Sequence, residues 1–344
     1  MVAHRASLCI RCHEQQSAAR TKISPFRRAS YAEERMGRSG AEHESDPRMA
    51  AVDLKVGSIM TRAPLTVPPE CPVERAFALM RDRGLHHLPV VDHGRLVGVL
   101  SDRDLAEPAA PSPRMRGGAD DGGSGDADRR GLVRNRMSVA VETVAPDDSA
   151  SKACRRLLDR RLGCLPVVTG GRLAGVLSES DLLRVYVRLS RSRGHDPGFD
   201  PQVGTVMSRE VDVVAPEASA ACALEICRNK RIRHLPVVFE GWLVGVVSDR
   251  DLLPEVGRGV ADLRKVKDLM TTEFQGVAPR TRLSEAAELM LQSGFHALPV
   301  RVNGALKGIV TSADVLRVLG TLDETELGSA WSSEQALDVS RKEE

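Results

Sequence analysis

Four segments of this sequence place a glycine, a hydroxyl and a carboxylate at one fixed spacing, Gly-x-x-Ser/Thr-x-x-Asp. They are Gly98, Ser101 and Asp104; Gly175, Ser178 and Asp181; Gly245, Ser248 and Asp251; and Gly308, Thr311 and Asp314. A hydroxyl followed three residues later by a carboxylate has the form of a capping box, which satisfies free backbone N–H groups at a helix start. The same groups can serve a ligand. A helix start offers unpaired N–H groups and a positive dipole end to phosphate, and a glycine lets a ligand approach the backbone closely. A carboxylate there can accept hydrogen bonds from both hydroxyls of a ribose. Together they suit a nucleoside phosphate, with the plain cap as the competing reading of any single copy.

The elements that position these groups recur with them. Val56, Val133, Val203 and Val266 each precede a methionine by four residues (Met60, Met137, Met207, Met270), and nine residues on stands Pro69, Pro146, Pro216 or Pro279. From that valine to the final aspartate each copy spans 49 residues without a gap, and only the connectors vary. After the proline, Val73, Ala76, Phe77 and Met80 have helical spacing, repeated as Leu283, Ala286, Ala287 and Met290. The helix is expected to end at Gly84, Gly163 or Gly294. A Leu-Pro-Val strand follows, then turns at Asp92-His93-Gly94, Gly170-Gly171 and Asn303-Gly304, a second strand and a last helix. A unit of this size cannot bury both faces alone, so copies are expected to pair.

The 344 residues divide accordingly: a disordered tail over 1–50, repeat units over 51–106, 132–189, 202–256 and 262–320, a flexible linker over 107–131, a connector over 190–201 and a polar tail over 321–344. The linker is rich in Pro, Gly and Asp and cannot form a packed core. Lys and Arg (49) nearly balance Asp and Glu (47), so no bulk field recruits nucleic acid or an anionic membrane. Only two Trp, two Tyr and six Phe are present, too few for base-stacking platforms. No apolar run approaches the roughly 18 residues of a membrane span. Cys71, Cys154, Cys164, Cys222 and Cys227 fall inside the repeats and read as buried thiols of a cytoplasmic protein. Cys9-x-x-Cys12-His13 matches a haem-attachment spacing, but the tail offers no domain to bury a haem. No catalytic motif or metal cluster accompanies the carboxylates, which points away from an enzyme.

The complete unit resembles a CBS domain, the small motif named after cystathionine β-synthase. Four copies over roughly residues 52–320 are similar in layout to the gamma regulatory subunit of AMP-activated kinase. The resemblance implies an α/β fold in which repeats one and two form one pseudo-twofold module and three and four another. The modules meet head to head, within one chain or in a homodimer. It also implies adenine-nucleotide binding in the clefts between paired repeats. Asp104, Asp181, Asp251 and Asp314 would then hold the ribose, and Ser101, Ser178, Ser248 and Thr311 would lie by the ribose and phosphate. Val67, Val144, Val214 and Val277 would flank the base.

At the implied phosphate position, repeat one offers His86, His87 and Arg103, and repeat three offers Arg233, His234 and Arg250. Repeat two has Gly163, Cys164 and Ser180 there, and repeat four retains only His296. The Asp104 and Asp251 clefts are therefore expected to bind best. The function implied is a non-catalytic sensor of AMP, ADP or ATP, with S-adenosylmethionine or NAD as further ligands and an unidentified protein partner. The alternative is a protein-interaction scaffold with empty clefts.

Overall fold

The computed structural model describes residues 54–106, 131–193 and 196–321; the N-terminal tail, most of the first linker and the C-terminal tail lie outside them. Each repeat opens with a single helical turn: α1 (Val56–Ile59), a 3-10 turn over Val133–Asn135, α6 (Val203–Val206) and a 3-10 turn over Val266–Asp268. The first long helices are α2 (Val73–Asp82), α4 (Ala150–Arg160), α7 (Ala220–Lys230) and α9 (Leu283–Ser293). The hairpins are β2–β3 (His87–Asp92, Arg95–Ser101), β4–β5 (Cys164–Thr169, Arg172–Ser178), β6–β7 (His234–Phe239, Trp242–Ser248) and β8–β9 (Ala297–Val302, Ala305–Thr311). The closing helices are α3 (Asp102–Ala106), α5 (Glu179–Ser192), α8 (Asp249–Gly257) and α10 (Ser312–Gly320).

All four hairpins turn through two residues with positive φ: His93-Gly94, Gly170-Gly171, Glu240-Gly241 and Asn303-Gly304. That is the sign pattern of the turn whose twist matches the flanking strands. The Glu240-Gly241 turn carries a weaker sequence signal than the other three. The hairpins join in pairs. Arg95 stands opposite Arg172 in one sheet, and Trp242 stands opposite Ala305 in the other. Repeats one and two therefore form one module, and repeats three and four the second, as expected.

Pairing is enforced by an exchange of opening segments. Thr61–Arg62 (β1) pairs with Val176 and Gly175 of repeat two, while Ser138 of repeat two bridges Val99 of repeat one. Ser208 with Ile309, and Thr271 with Val246, do the same in the second module. The recurring methionine then lands on the partner's recurring glycine. A Cβ built on Gly175 would lie 2.6 Å from Met60 Sδ, on Gly98 2.5 Å from Met137, on Gly245 2.6 Å from Met270 and on Gly308 2.7 Å from Met207. The glycine of the motif is thus there for a methionine of the paired repeat, which corrects the expectation that it admits a ligand. The recurring proline also has a partner. The carbonyls of Pro146, Pro69, Pro279 and Pro216 accept from the N–H groups of Gly57, Arg134, Gly204 and Lys267 in the paired repeats' opening turns.

The turn after the first long helix is left-handed in all four repeats. Gly84 and Gly294 occupy it with φ of 61° and 70°, but Arg161 and Arg231 hold it at 54°. The helix of repeat two therefore ends at Arg161, and Gly163 is not its cap. A non-glycine residue in this region costs of order 1–2 kcal/mol.

The two modules close on each other inside the chain. Helices α4 and α5 of repeat two pack against α9 and α10 of repeat four, and their buried residues form one continuous core. On the other side, α3 of repeat one meets α8 of repeat three. This half is more open: Phe77 on α2, placed by its spacing on the apolar face, is 47% exposed, whereas its counterparts Cys154, Leu224 and Ala287 are buried. The connector contributes more than its polar composition suggests. Phe199 stacks on buried Tyr186, and the buried Asp200 carboxylate accepts from Ser284 N at 2.9 Å and Oγ at 2.6 Å. Cys71, Cys154, Cys164 and Cys227 are free and buried, as expected.

The exchange makes a graded prediction. The backbone carbonyl of Thr61 lies 2.7 Å from a Cβ on Gly175, and that of Thr271 lies 3.1 Å from one on Gly245. Gly175→Ala is expected to lower the unfolding free energy by about 1–3 kcal/mol, and Gly245→Ala by less. Urea denaturation of the two variants measures both, and equal or negligible losses would contradict the exchange.

Candidate functional site

The four hydroxyl–carboxylate pairs form the same local structure. In each, one carboxylate oxygen accepts from the backbone N–H and hydroxyl of the capping residue. The backbone contacts run Ser101–Asp104 at 2.7 Å, and Ser178–Asp181, Ser248–Asp251 and Thr311–Asp314 at 2.8 Å. The cap is real in every copy, and it uses only one oxygen. The second oxygen separates the copies: Arg184 donates to Asp181 Oδ1 at 2.9 Å, and Arg317 to Asp314 Oδ1 at 2.5 Å. In repeat three the corresponding residue is Pro254. Asp181 and Asp314 are buried at 6% and 4% exposure.

A cavity of about 1240 Å³ runs between the modules, and its walls come from all four repeats. It reaches Asp181 and Asp314 with Ser178 and Thr311, together with the paired repeats' opening segments, Thr61–Leu65 facing Asp181 and Ser208 with Glu210–Asp212 facing Asp314. Asp104 and Asp251 do not line it. The clefts of Asp181 and Asp314 thus open on this cavity, which Arg103, Ser248 and Arg250 of repeats one and three also line. Leu65, Val176, Val211, Ile309 and Leu316 are among its apolar lining, whereas Val67, Val144, Val214 and Val277 are buried under strand bridges to Val90, Val167, Val237 and Val300.

The basic residues of repeats one and three are brought together, but largely to pair across the seam. Arg103 Nε reaches Asp249 at 2.8 Å, and Arg250 Nε reaches Asp102 at 2.6 Å, a reciprocal exchange between two identical Asp-Arg-Asp segments. His86 Nδ1 lies 3.0 Å from the same Asp102 carboxylate. Burial pushes the Asp102 carboxyl up, but the His86 hydrogen bond and the Arg250 charge outweigh it and hold it below its ordinary range. Repeats two and four meet through Glu179, which accepts from Ser312 Oγ at 2.9 Å and lies 3.2 Å from His296 Nδ1 and 3.8 Å from Arg233. There too burial raises the carboxyl, and His296 with Arg233 more than offset it. These seam acids, Asp102, Glu179 and Asp249, each follow the motif serine directly, a place the sequence analysis did not mark.

His87 and His234 hold equivalent places beside the strand prolines, and burial pushes both down to about 4 despite the nearby carboxylates of Asp102 and Asp249. Both imidazoles are neutral at pH 7, so neither supplies a cation to a phosphate there. Cys164, at the same place in repeat two, is pushed up to about 12 by burial and is not a reactive thiolate. Among the described residues no cluster of three metal ligands occurs, and no helix is long and apolar enough to cross a membrane.

Comparison with known proteins follows the repeats. The CBS domain model matches residues 56–109, 133–188, 203–258 and 266–321. The structure of protein MJ1225 from Methanocaldococcus jannaschii, described as a proposed archaeal homolog of g-AMPK, is 22% identical, covers 77% of this chain and 100% of that one, and has a TM-score of 0.62. That likeness shows the fold. Protein MJ1404 of the same organism is 27% identical over 286 residues, which are 78% of this chain and 62% of its own length. CBSX2 of Arabidopsis thaliana, solved in complex with AMP, is 38% identical over 34% of this chain and 95% of that one, with a TM-score of 0.31.

The buried imidazoles set a pH dependence. Their folded-state values lie below the ordinary 6.5, so the unfolded chain takes up protons first as pH falls. Stability is full above about pH 6.5 and declines between 6.5 and about 4, each histidine contributing up to about 1.4 kcal/mol per pH unit. Chemical denaturation across this range is expected to show a flatter profile for His87→Gln plus His234→Gln. An unchanged slope would contradict the assignment.

Proposed function

Because this chain belongs to the CBS-domain family along all four repeats, we propose that it is a non-catalytic regulatory sensor. It binds adenosine-containing nucleotides in the clefts between paired repeats and relays their occupancy to a partner protein. The observation that carries this reading is the shared cavity, in which two capped carboxylates, Asp181 and Asp314, face one arginine-lined space. Each cleft supplies a carboxylate for the ribose, a helix start for the first phosphate and an opening segment of the paired repeat for the base. AMP, ADP and ATP fit this chemistry, and S-adenosylmethionine and NAD share the adenosine.

The relay follows from where the seam lies. Glu179 belongs to the helix start that carries Asp181, and it bonds to Ser312 on the helix start that carries Asp314. A ligand that draws on one helix start therefore shifts the contact between modules. It changes their balance only by its difference in affinity for the two arrangements. Both modules are present in one chain, so this seam needs no second copy, and the partner reads the outer surface. The scaffold reading fits the Asp104 and Asp251 clefts better. There Arg103 and Arg250 are committed to the seam, and the capping boxes serve as caps.

Calorimetry and thermal shift against AMP, ADP, ATP, S-adenosylmethionine and NAD, with GTP as control, test the proposal. At a hundredfold excess over its dissociation constant, a ligand is expected to stabilise the fold by about 2.7 kcal/mol. The shift should be lost in Asp181→Asn plus Asp314→Asn and kept in Asp104→Asn plus Asp251→Asn. Folded protein that responds to none of the panel would leave the scaffold.

A further inference from the structure

The four hairpin turns gather in two pairs, and the pairs differ in chemistry. In each module the second strands meet beside the turns, at Arg95 with Arg172 and at Trp242 with Ala305. From Arg95 and Trp242, seven-residue strands of about 20 Å run to Ser101 and Ser248, where Asp102 and Asp249 enter the seam. The two pairs of turns therefore face away from the seam, at opposite poles of the molecule.

One pole is basic. Its turns are Asp92-His93-Gly94-Arg95 and Thr169-Gly170-Gly171-Arg172. Arg95 and Arg172 are exposed and stand directly opposite each other, a like-charge pair that costs stability. Among the described residues neither has a carboxylate partner, since Asp92 lies by His93 at 3.6 Å. Each guanidinium lies over the other hairpin's turn. A Cβ on Gly171 would be 3.1 Å from Arg95 Nη2, and one on Gly94 would be 3.4 Å from Arg172 Nη1.

The other pole is aromatic. Phe239-Glu240-Gly241-Trp242 and Val302-Asn303-Gly304-Ala305 stand at the equivalent places. Phe239, Trp242 and Val302 are 53%, 58% and 40% exposed. The Trp242 ring rests on Gly304, where a Cβ would lie 2.5 Å from Cζ3. Glu240 is the one charge in these turns. Arg301 and Lys307 lie further along the strands, with Arg301 turned onto the Phe274 ring at 5.5 Å.

We propose that the two poles dock on each other: the aromatic pole of one copy of this chain takes the arginine pole of a second copy. A guanidinium over an aromatic face is a favourable pair, more so once water is excluded. Trp242, held against Gly304, presents a fixed ring to one arginine, and Phe239 presents a second ring. Glu240 supplies the carboxylate that the arginine pair lacks. Like poles fit worse, because two arginine poles would gather four guanidiniums and two aromatic poles would set Glu240 against its own copy. The contact is head to tail and leaves one pole free at each end, so copies add in rows rather than close as a dimer. It is small, and therefore weak and concentration-dependent. Neither the cavity nor the seam takes part, so it stands apart from nucleotide binding.

Sedimentation velocity of the full chain over a range of protein and salt concentrations tests this. The parent is expected to form concentration-dependent species larger than a dimer, weakened by salt because charge contributes. Trp242→Ala removes the aromatic pole, and Arg95→Ser plus Arg172→Ser removes the basic one. Each variant alone is expected to associate at least about tenfold more weakly. Mixed together, the two variants should form a heterodimer and stop there, since each keeps the pole that the other lacks. The arginine variant should also melt no lower than the parent, because the like-charge contact goes with it. A parent that stays monomeric at every concentration, or that stops at a closed dimer, would overturn the proposal. So would association that either variant retains in full, or a mixture that stays monomeric.

Discussion

The structure depends on one steric fit made four times: the methionine that opens each repeat rests on a bare glycine in the second strand of its partner. A single extra carbon at that glycine would meet both the thioether and, most tightly at Gly175 and Gly308, a backbone carbonyl. Because the methionine and the glycine it covers lie in different repeats, no repeat is complete by itself. The exchange brings the opening segment of one repeat alongside the capped carboxylate of the other, and that juxtaposition creates a cleft.

A second level of pairing turns four clefts into two kinds. Each closing helix begins at the seam between modules, so the residues between hydroxyl and carboxylate decide what the helix start meets. In repeats one and three those residues are Asp and Arg, and they cross-pair. In repeats two and four they are Glu-Ser and Ser-Ala, which meet through one carboxylate and a histidine and leave Asp181 and Asp314 open to the cavity. Packing follows the same division. The core is continuous between repeats two and four, while repeats one and three keep separate cores.

Much of this was legible in the residues. Constant spacing gave the repeat, its elements and its capping boxes, because these rest on local backbone geometry and periodicity. The order of pairing came with the family resemblance rather than from any local signal. The seam pairing of Arg103 and Arg250 was not legible, since each looks identical in sequence whether it faces a phosphate or the other repeat's aspartate. The left-handed arginines carry no glycine to mark the turn, and Gly163, two residues on, gives a false signal of it. Phe199 and Asp200, a short buried pair inside a polar connector, have no periodicity to betray them.

The central claim is that the Asp181 and Asp314 helix starts, joined through Glu179, form the ligand-responsive part of the molecule. Hydrogen–deuterium exchange of the full chain with and without ATP addresses it directly, because it reports on all four helix starts in one experiment. The account predicts added protection at residues 178–181 and 311–314, and little change at 101–104 and 248–251. Protection confined to the second pair, or none at any of the four, would contradict it.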